Sequence, residues 1–173
     1  CCNEVDANCG AIVGGCENST GTGFNSFIGG GCCNCADSTK SVVVGGASNC
    51  SAGIETFVGA GSCNTIVLGS SQYSSIVGGR CNCITKASSF IGGGFLNKVT
   101  CGSSVIVGGC ENRISGCIGF MGAGCQNNIT GDNSTIVGGR LLSASGEYSF
   151  IGNGEINNVT GDSSSIVGGT TNV

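Results

Sequence analysis

Proline, histidine and tryptophan are absent from this chain of 173 residues, and methionine occurs once, at Met121. Charge is scarce too: 9% of residues are Asp, Glu, Lys or Arg, and the formal net charge is −4. Each absence excludes something. Without histidine there is no imidazole base, so neither a Ser-His-Asp nor a Cys-His pair can form. The ten Asp and Glu residues are scattered singly, and turn or rim solvation accounts for them, so no catalytic residue and no enzyme are expected. Six Lys and Arg in all supply no basic patch for nucleic acid. No stretch approaches the roughly 20 apolar residues of a membrane helix, so this segment is not expected to insert into a bilayer. Helix is disfavoured throughout, because no segment escapes glycine long enough to carry several turns.

What the chain does have is glycine (35), cysteine (15) and apolar residues (39%). Glycine near one in five without a collagen period usually accompanies disorder. The apolar residues oppose that, because they recur on a schedule. The first Gly after each apolar pair serves as an anchor: Gly14, Gly29, Gly45, Gly59, Gly78, Gly92, Gly108, Gly122, Gly138, Gly152 and Gly168. From Gly78 the spacing alternates between 14 and 16, which predicts a 30-residue period made of two unequal coils. Gly59 to Gly78 is 19, so three extra residues are expected to bulge near Leu68, Gly69, Ser70, Ser71, Gln72 and Tyr73. That bulge is the one local candidate for a binding loop.

The residue two before each anchor alternates in kind. It is Ile12, Val43, Ile76, Ile106, Ile136 and Ile166 in one coil type and Phe27, Phe57, Phe90, Phe120 and Phe150 in the other. These are expected to form a core ladder. The next residue is apolar as well: Val13, Ile28, Val44, Val58, Val77, Ile91, Val107, Met121, Val137, Ile151 and Val167. An Asn follows four or five residues after the anchor, at Asn18, Asn34, Asn49, Asn64, Asn82, Asn97, Asn112, Asn127, Asn157 and Asn172, and only Leu142 interrupts the column.

Short β-branched runs separated by Gly-rich turns predict strands, and Asn suits the turns because it tolerates positive φ. The expected fold is all-β: a parallel β-solenoid of about eleven flattened two-strand coils, a rod of roughly 50 Å. Adjacent residues of a strand point to opposite faces. One member of each apolar pair fills the coil and the other points out, which makes an exposed column that soluble monomers rarely show. A homo-oligomer is therefore expected, with the second column at its interface. Both ends fall in mid-repeat with no capping coil. Residues 1–173 thus read as a single repeat array within a longer fibre.

The steps Ser75–Gly79 and Ser165–Gly169 (Ser-Ile-Val-Gly-Gly) and their partners Ser26–Gly29, Ser89–Gly92 and Ser149–Gly152 (Ser-Phe-Ile-Gly) resemble the head repeats of trimeric autotransporter adhesins. They are also similar to Gly/Asn-rich repeats in phage tail fibres and other virion appendages. The resemblance implies a left-handed β-roll, a homotrimer and attachment to host surfaces, and it carries over no binding residue. The function expected from it is the structural and adhesive segment of an extracellular fibre, a virion tail fibre or appendage, whose partners are further copies of itself and a glycan or protein receptor. A bacterial cell-surface adhesin and a purely structural filament are the alternatives. An ice-binding solenoid is a weaker one, because its hydroxyl column (Thr85, Thr100, Ser115, Thr130, Ser145, Thr160) mixes Ser with Thr.

The cysteines are not demanded by the repeat, which continues cleanly past the last of them, Cys125. Several fall in register on neighbouring coils: Cys1, Cys16 and Cys32; Cys35 and Cys50; Cys63 and Cys81; Cys101 and Cys117; Cys110 and Cys125. Coil spacing lies inside the Cα window of a disulfide, so inter-coil rungs in an oxidising setting are one expectation and small apolar fillers the other. No cofactor and no metal are expected, because Cys32-Cys33-Asn34-Cys35 and Cys81-Asn82-Cys83 lack the two-residue gap and second pair of a zinc site.

Overall fold

The computed structural model describes residues 2–173. Twenty-two strands of two residues each alternate between two sheets of eleven strands. Sheet 1 begins at Glu4–Val5 and ends at Asn158–Val159; sheet 2 begins at Ala11–Ile12 and ends at Ser165–Ile166. Every strand pairs in parallel with the equivalent strand one coil away, as in Val105↔Phe120 and Ile106↔Met121. The chain is thus a β-solenoid of about eleven turns.

The register assigns one coil length, 15 residues, in place of the expected alternation of 14 and 16. Ile91, Ile106, Met121, Ile136, Ile151 and Ile166 stack one above another at that step. The anchor glycines misled because they occupy different stations in the two coil types. Val107 donates its N–H to Met121 O and Gly122 to Ile136 O, so Val107 and Gly122 are equivalent. Two coils are longer, with 16 residues from Ile12 to Ile28 and 18 from Val58 to Ile76. The second surplus forms the turn at Leu68–Ser70, within the expected bulge.

Register also decides which apolar residue is inside, because a slip of one residue sends every side chain to the other face. Ile28, Val43, Val58, Ile76, Ile91, Ile106, Met121, Ile136 and Ile151 are fully buried, with Ile12 and Ile166 partly so at the ends. Phe27, Phe57, Phe90, Phe120 and Phe150 point outwards and are 37–41% exposed, which corrects the ladder that placed Phe in the core. From sheet 1 the inward residues are Thr20, Ala36, Ser51, Ile66, Ile84, Val99, Ile114, Ile129, Ala144 and Val159. Each coil therefore contributes two inward strand side chains, one per sheet.

Polar ladders close the two edges of this narrow core. At the first corner the Asn residues from Asn18 to Asn157 are buried and hydrogen-bonded. Asn97 Nδ2 donates to Gly93 O and to Gly109 O, both at 2.9 Å, and its Oδ1 accepts the N–H of Asn112 at 3.1 Å. At the other corner a buried hydroxyl column, including Ser41, Thr56, Ser74, Ser89, Ser104, Ser134 and Ser149, does similar work. Ser134 Oγ shares its one proton between Asp132 O and Gly146 O and accepts the N–H of Ser149. Turning twice in 15 residues demands left-handed backbone. Twenty-two non-glycine residues have φ between 53° and 60°, one at each corner of the coils. The tightest station is glycine: Gly94 has φ +91°, and a Cβ there would run into the carbonyl oxygen of Gly109.

Candidate functional site

The two sheets present different outer faces. Sheet 2 shows Phe27, Phe57, Phe90, Phe120 and Phe150 on alternate coils, with Val44, Val77, Val107 and Val137, each 49–51% exposed, on the coils between. Where a coil carries Phe, its neighbouring outward station is Gly (Gly29, Gly59, Gly92, Gly122, Gly152). A Cβ built on Gly92 would lie 3.4 Å from the Phe90 ring. Large-and-small thus alternates with the reverse from coil to coil, which is the physical meaning of the 30-residue period. Of the second apolar column, Val13, Val44, Val77, Val107, Val137 and Val167 are exposed on this face, whereas Ile28, Val58, Ile91, Met121 and Ile151 belong to the core.

Sheet 1 turns a polar face outwards, with Lys98, Arg113, Asn128, Ser143 and Asn158 on successive strands. The hydroxyl column beside it is partly engaged with its own backbone: Thr85 and Thr100 donate to Val99 O and Ile114 O at 3.4 and 3.3 Å. The corners hold the few charges in contact: Lys40 Nζ lies 2.7 Å from Glu55 Oε1, Arg140 pairs with Glu155, and Arg80 stands over the Phe95 ring. Leu68 of the inserted turn and Tyr73 at the regular corner after it are 65% and 61% exposed, Gly69 is exposed and Ser71 is buried.

The cysteines expected in register divide into three groups. Cys110–Cys125 and Cys101–Cys117 are disulfides between neighbouring coils, with Cα atoms 4.7 and 4.9 Å apart. Cys35 and Cys50 are Cα partners in sheet 1, and Cys16 and Cys32 are bridge partners at the first corner; both pairs are thiols. Cys63 and Cys81 occupy equivalent left-handed stations one coil apart, also as thiols. Cys1 lies outside the described residues. Hydrogen bonding to Cys50, reinforced by burial and by the neighbouring charges of Cys50 and Asp37, pushes the Cys35 thiol pKa up. Hydrogen bonds to Cys32 and Glu17 push Cys33 up to about 11. Burial, followed by the proximity of Cys32 and Glu17, raises Cys16.

A cavity of about 290 Å³ is lined by Asn158, Val159, Ile166 and Val173 at the last coil. It is the uncovered end of the stack, with no convergence of titratable groups. The extended surfaces therefore make the better candidate site. The seating of the Phe column and the whole Ser ladder escaped the sequence reading. The signal for the Ser ladder was present: Ser26, Ser41, Ser89, Ser104, Ser134 and Ser149 each precede a sheet 2 strand directly. No protein-family model matches the chain, and no curated protein is significantly similar to it.

Proposed function

We propose that this chain is the structural and adhesive segment of an extracellular fibre, a virion tail fibre or comparable appendage, in which three copies pack through the outer face of sheet 2. The observation that carries this is the continuous Phe/Val ladder on that face. Soluble monomers rarely expose so long an apolar stripe. A surface that opposes it along its whole length must repeat at the same spacing of about 4.8 Å, and another copy of the chain does so. The polar outer face of sheet 1 then stays in water. The threefold order and a left-handed roll follow the resemblance of the Ser-Ile-Val-Gly-Gly steps to adhesin heads. The inter-coil disulfides suit an oxidising compartment.

Attachment on this reading is multivalent. Repeated corners on three identical chains present many weak contacts to a glycan or protein receptor, and avidity sums them. The exposed Leu68 of the inserted turn breaks the repeat, with Tyr73 exposed on the corner after it.

Light scattering on the purified protein tests the assembly. The expected mass is about three times the 16.8 kDa of one chain. Replacing Phe57, Phe90 and Phe120 together with Ser is expected to release monomers that keep their strand signal in circular dichroism. A monodisperse monomer of the unmodified chain would overturn the proposal. Attachment is read separately, as binding of labelled protein to intact bacterial cells, reduced by Leu68→Ala with Tyr73→Ala.

A further inference from the structure

The solenoid brings together at its first corner residues that the sequence keeps far apart. Cys16 and Cys32 are bridge partners on adjacent coils. Cys16 Sγ, a Glu17 carboxylate oxygen and Cys32 Sγ all lie within 4.8 Å of one another. Cys33 joins them from the same turn, with its Sγ 3.3 Å from Cys32 Sγ and 3.3 Å from Glu17 Oε2. Three soft thiols and one carboxylate from two turns therefore cluster here, Cys16, Glu17 and Cys32 mutually close and Cys33 against Cys32 and Glu17. Tetrahedral zinc, with Zn–S bonds of about 2.3 Å, holds its ligands roughly 3.8 Å apart, so Cys16, Glu17 and Cys32 are close to that spacing and a rotation of Cys33 towards Cys16 completes the set.

Two independent features favour a cation there. No Lys or Arg precedes Lys40, which sits at the opposite corner, so among the described residues no ion pair engages this cluster. The same two coils also have a poor core: their sheet 1 inward residues are Thr20 and Ala36, and the Thr20 hydroxyl is buried without a partner. A short hydrophobic core is the setting in which small proteins add a disulfide or a metal.

We propose that Cys16, Glu17, Cys32 and Cys33 form a four-ligand site for a thiophilic divalent cation, zinc in the first instance, that clamps two coils of the solenoid. Binding deprotonates the three thiols and releases their protons to solvent, giving a thiolate-rich site of the kind that soft metals select. Zinc sequence patterns miss the site because the ligands come from adjacent turns on consecutive coils.

The test uses the full chain, reduced and free of metal, titrated with Co²⁺ without oxygen. The expected result is thiolate-to-cobalt charge transfer with tetrahedral ligand-field bands, saturating at one equivalent per chain and displaced by Zn²⁺. Cys16→Ser with Cys32→Ser is expected to abolish the bands, and Cys63→Ser with Cys81→Ser to leave them intact. Glu17→Gln, a milder change that keeps the turn, is expected to weaken binding by at least the roughly tenfold lost with an outer-shell partner. Zn²⁺ is expected to raise the melting temperature of the unmodified chain and, by less, that of Glu17→Gln. Absence of the bands in the reduced protein overturns the site. So does their survival in the Cys16/Cys32 variant, their loss in the Cys63/Cys81 variant, or a Cys16–Cys32 disulfide that resists reduction.

Discussion

A single methyl group is enough to test how the corners are built. Gly94 combines φ +91° with a close approach to the backbone of the next coil, and a Cβ would also lie 2.7 Å from Asn97 Nδ2. Gly94→Ala is expected to cost about 3 kcal/mol, from left-handed strain plus overpacking against a carbonyl that cannot move alone; urea denaturation measures it. Ile118 is the opposite case. It is β-branched at φ 57° and 58% exposed, so it bears left-handed strain and buries little in return. Ile118→Asn is expected to stabilise the chain by about 1 kcal/mol, because Asn tolerates that region, seen as a higher urea midpoint with an unchanged slope.

At the scale of the element, neither sheet stands without its corner ladder. Strands of two residues offer too few backbone bonds, and the Asn side chains extend the ladder round the corner. Asn97→Ala removes two donated bonds and leaves the Asn112 N–H without its acceptor. At roughly 1 kcal/mol per bond, a loss of about 3 kcal/mol is expected. The chain supplies its own comparison at Leu142, which accepts nothing from Asn157 although its own N–H still bonds Asn127 Oδ1 at 3.0 Å. Amide hydrogen exchange is therefore expected to be faster at Asn157 than at Asn112. Equal protection would mean that the side-chain ladder contributes nothing at this corner.

For the whole molecule, a solenoid's stability is close to a sum of coil and neighbour terms, so local composition becomes a gradient. The early coils pack Thr20, Ala36 and Ser51 inwards from sheet 1, whereas Ile66, Ile84, Val99, Ile114 and Ile129 follow. With metal and disulfides removed, the coils before Asn64 are expected to exchange their amides before those between Ile76 and Ile136. Reduction of Cys110–Cys125 and Cys101–Cys117 is expected to loosen the coils they join, by up to about 3 kcal/mol for each closed loop of this size. Exchange mapped by mass spectrometry, with and without reductant, reads both effects. Uniform protection along the chain would contradict the gradient.

The sequence by itself determined that the chain is a stack of coils with two short strands each, where the inserted turn lies, and that Asn repeats at one corner. Periodicity carries these directly, because equivalent residues meet equivalent neighbours. It also placed Cys110 opposite Cys125 and Cys101 near Cys117. Only the tertiary structure decided the step of 15, since an apolar pair looks the same whichever member faces in. Hydrogen-bond register breaks that tie, turning Phe90 out and Ile91 in. It also decided that Glu17 and Cys33 meet across the coils, beside the Cys16 and Cys32 that periodicity had already put in register. The Glu17–Cys33 contact is set by how the two side chains turn at the corner, which periodicity does not encode.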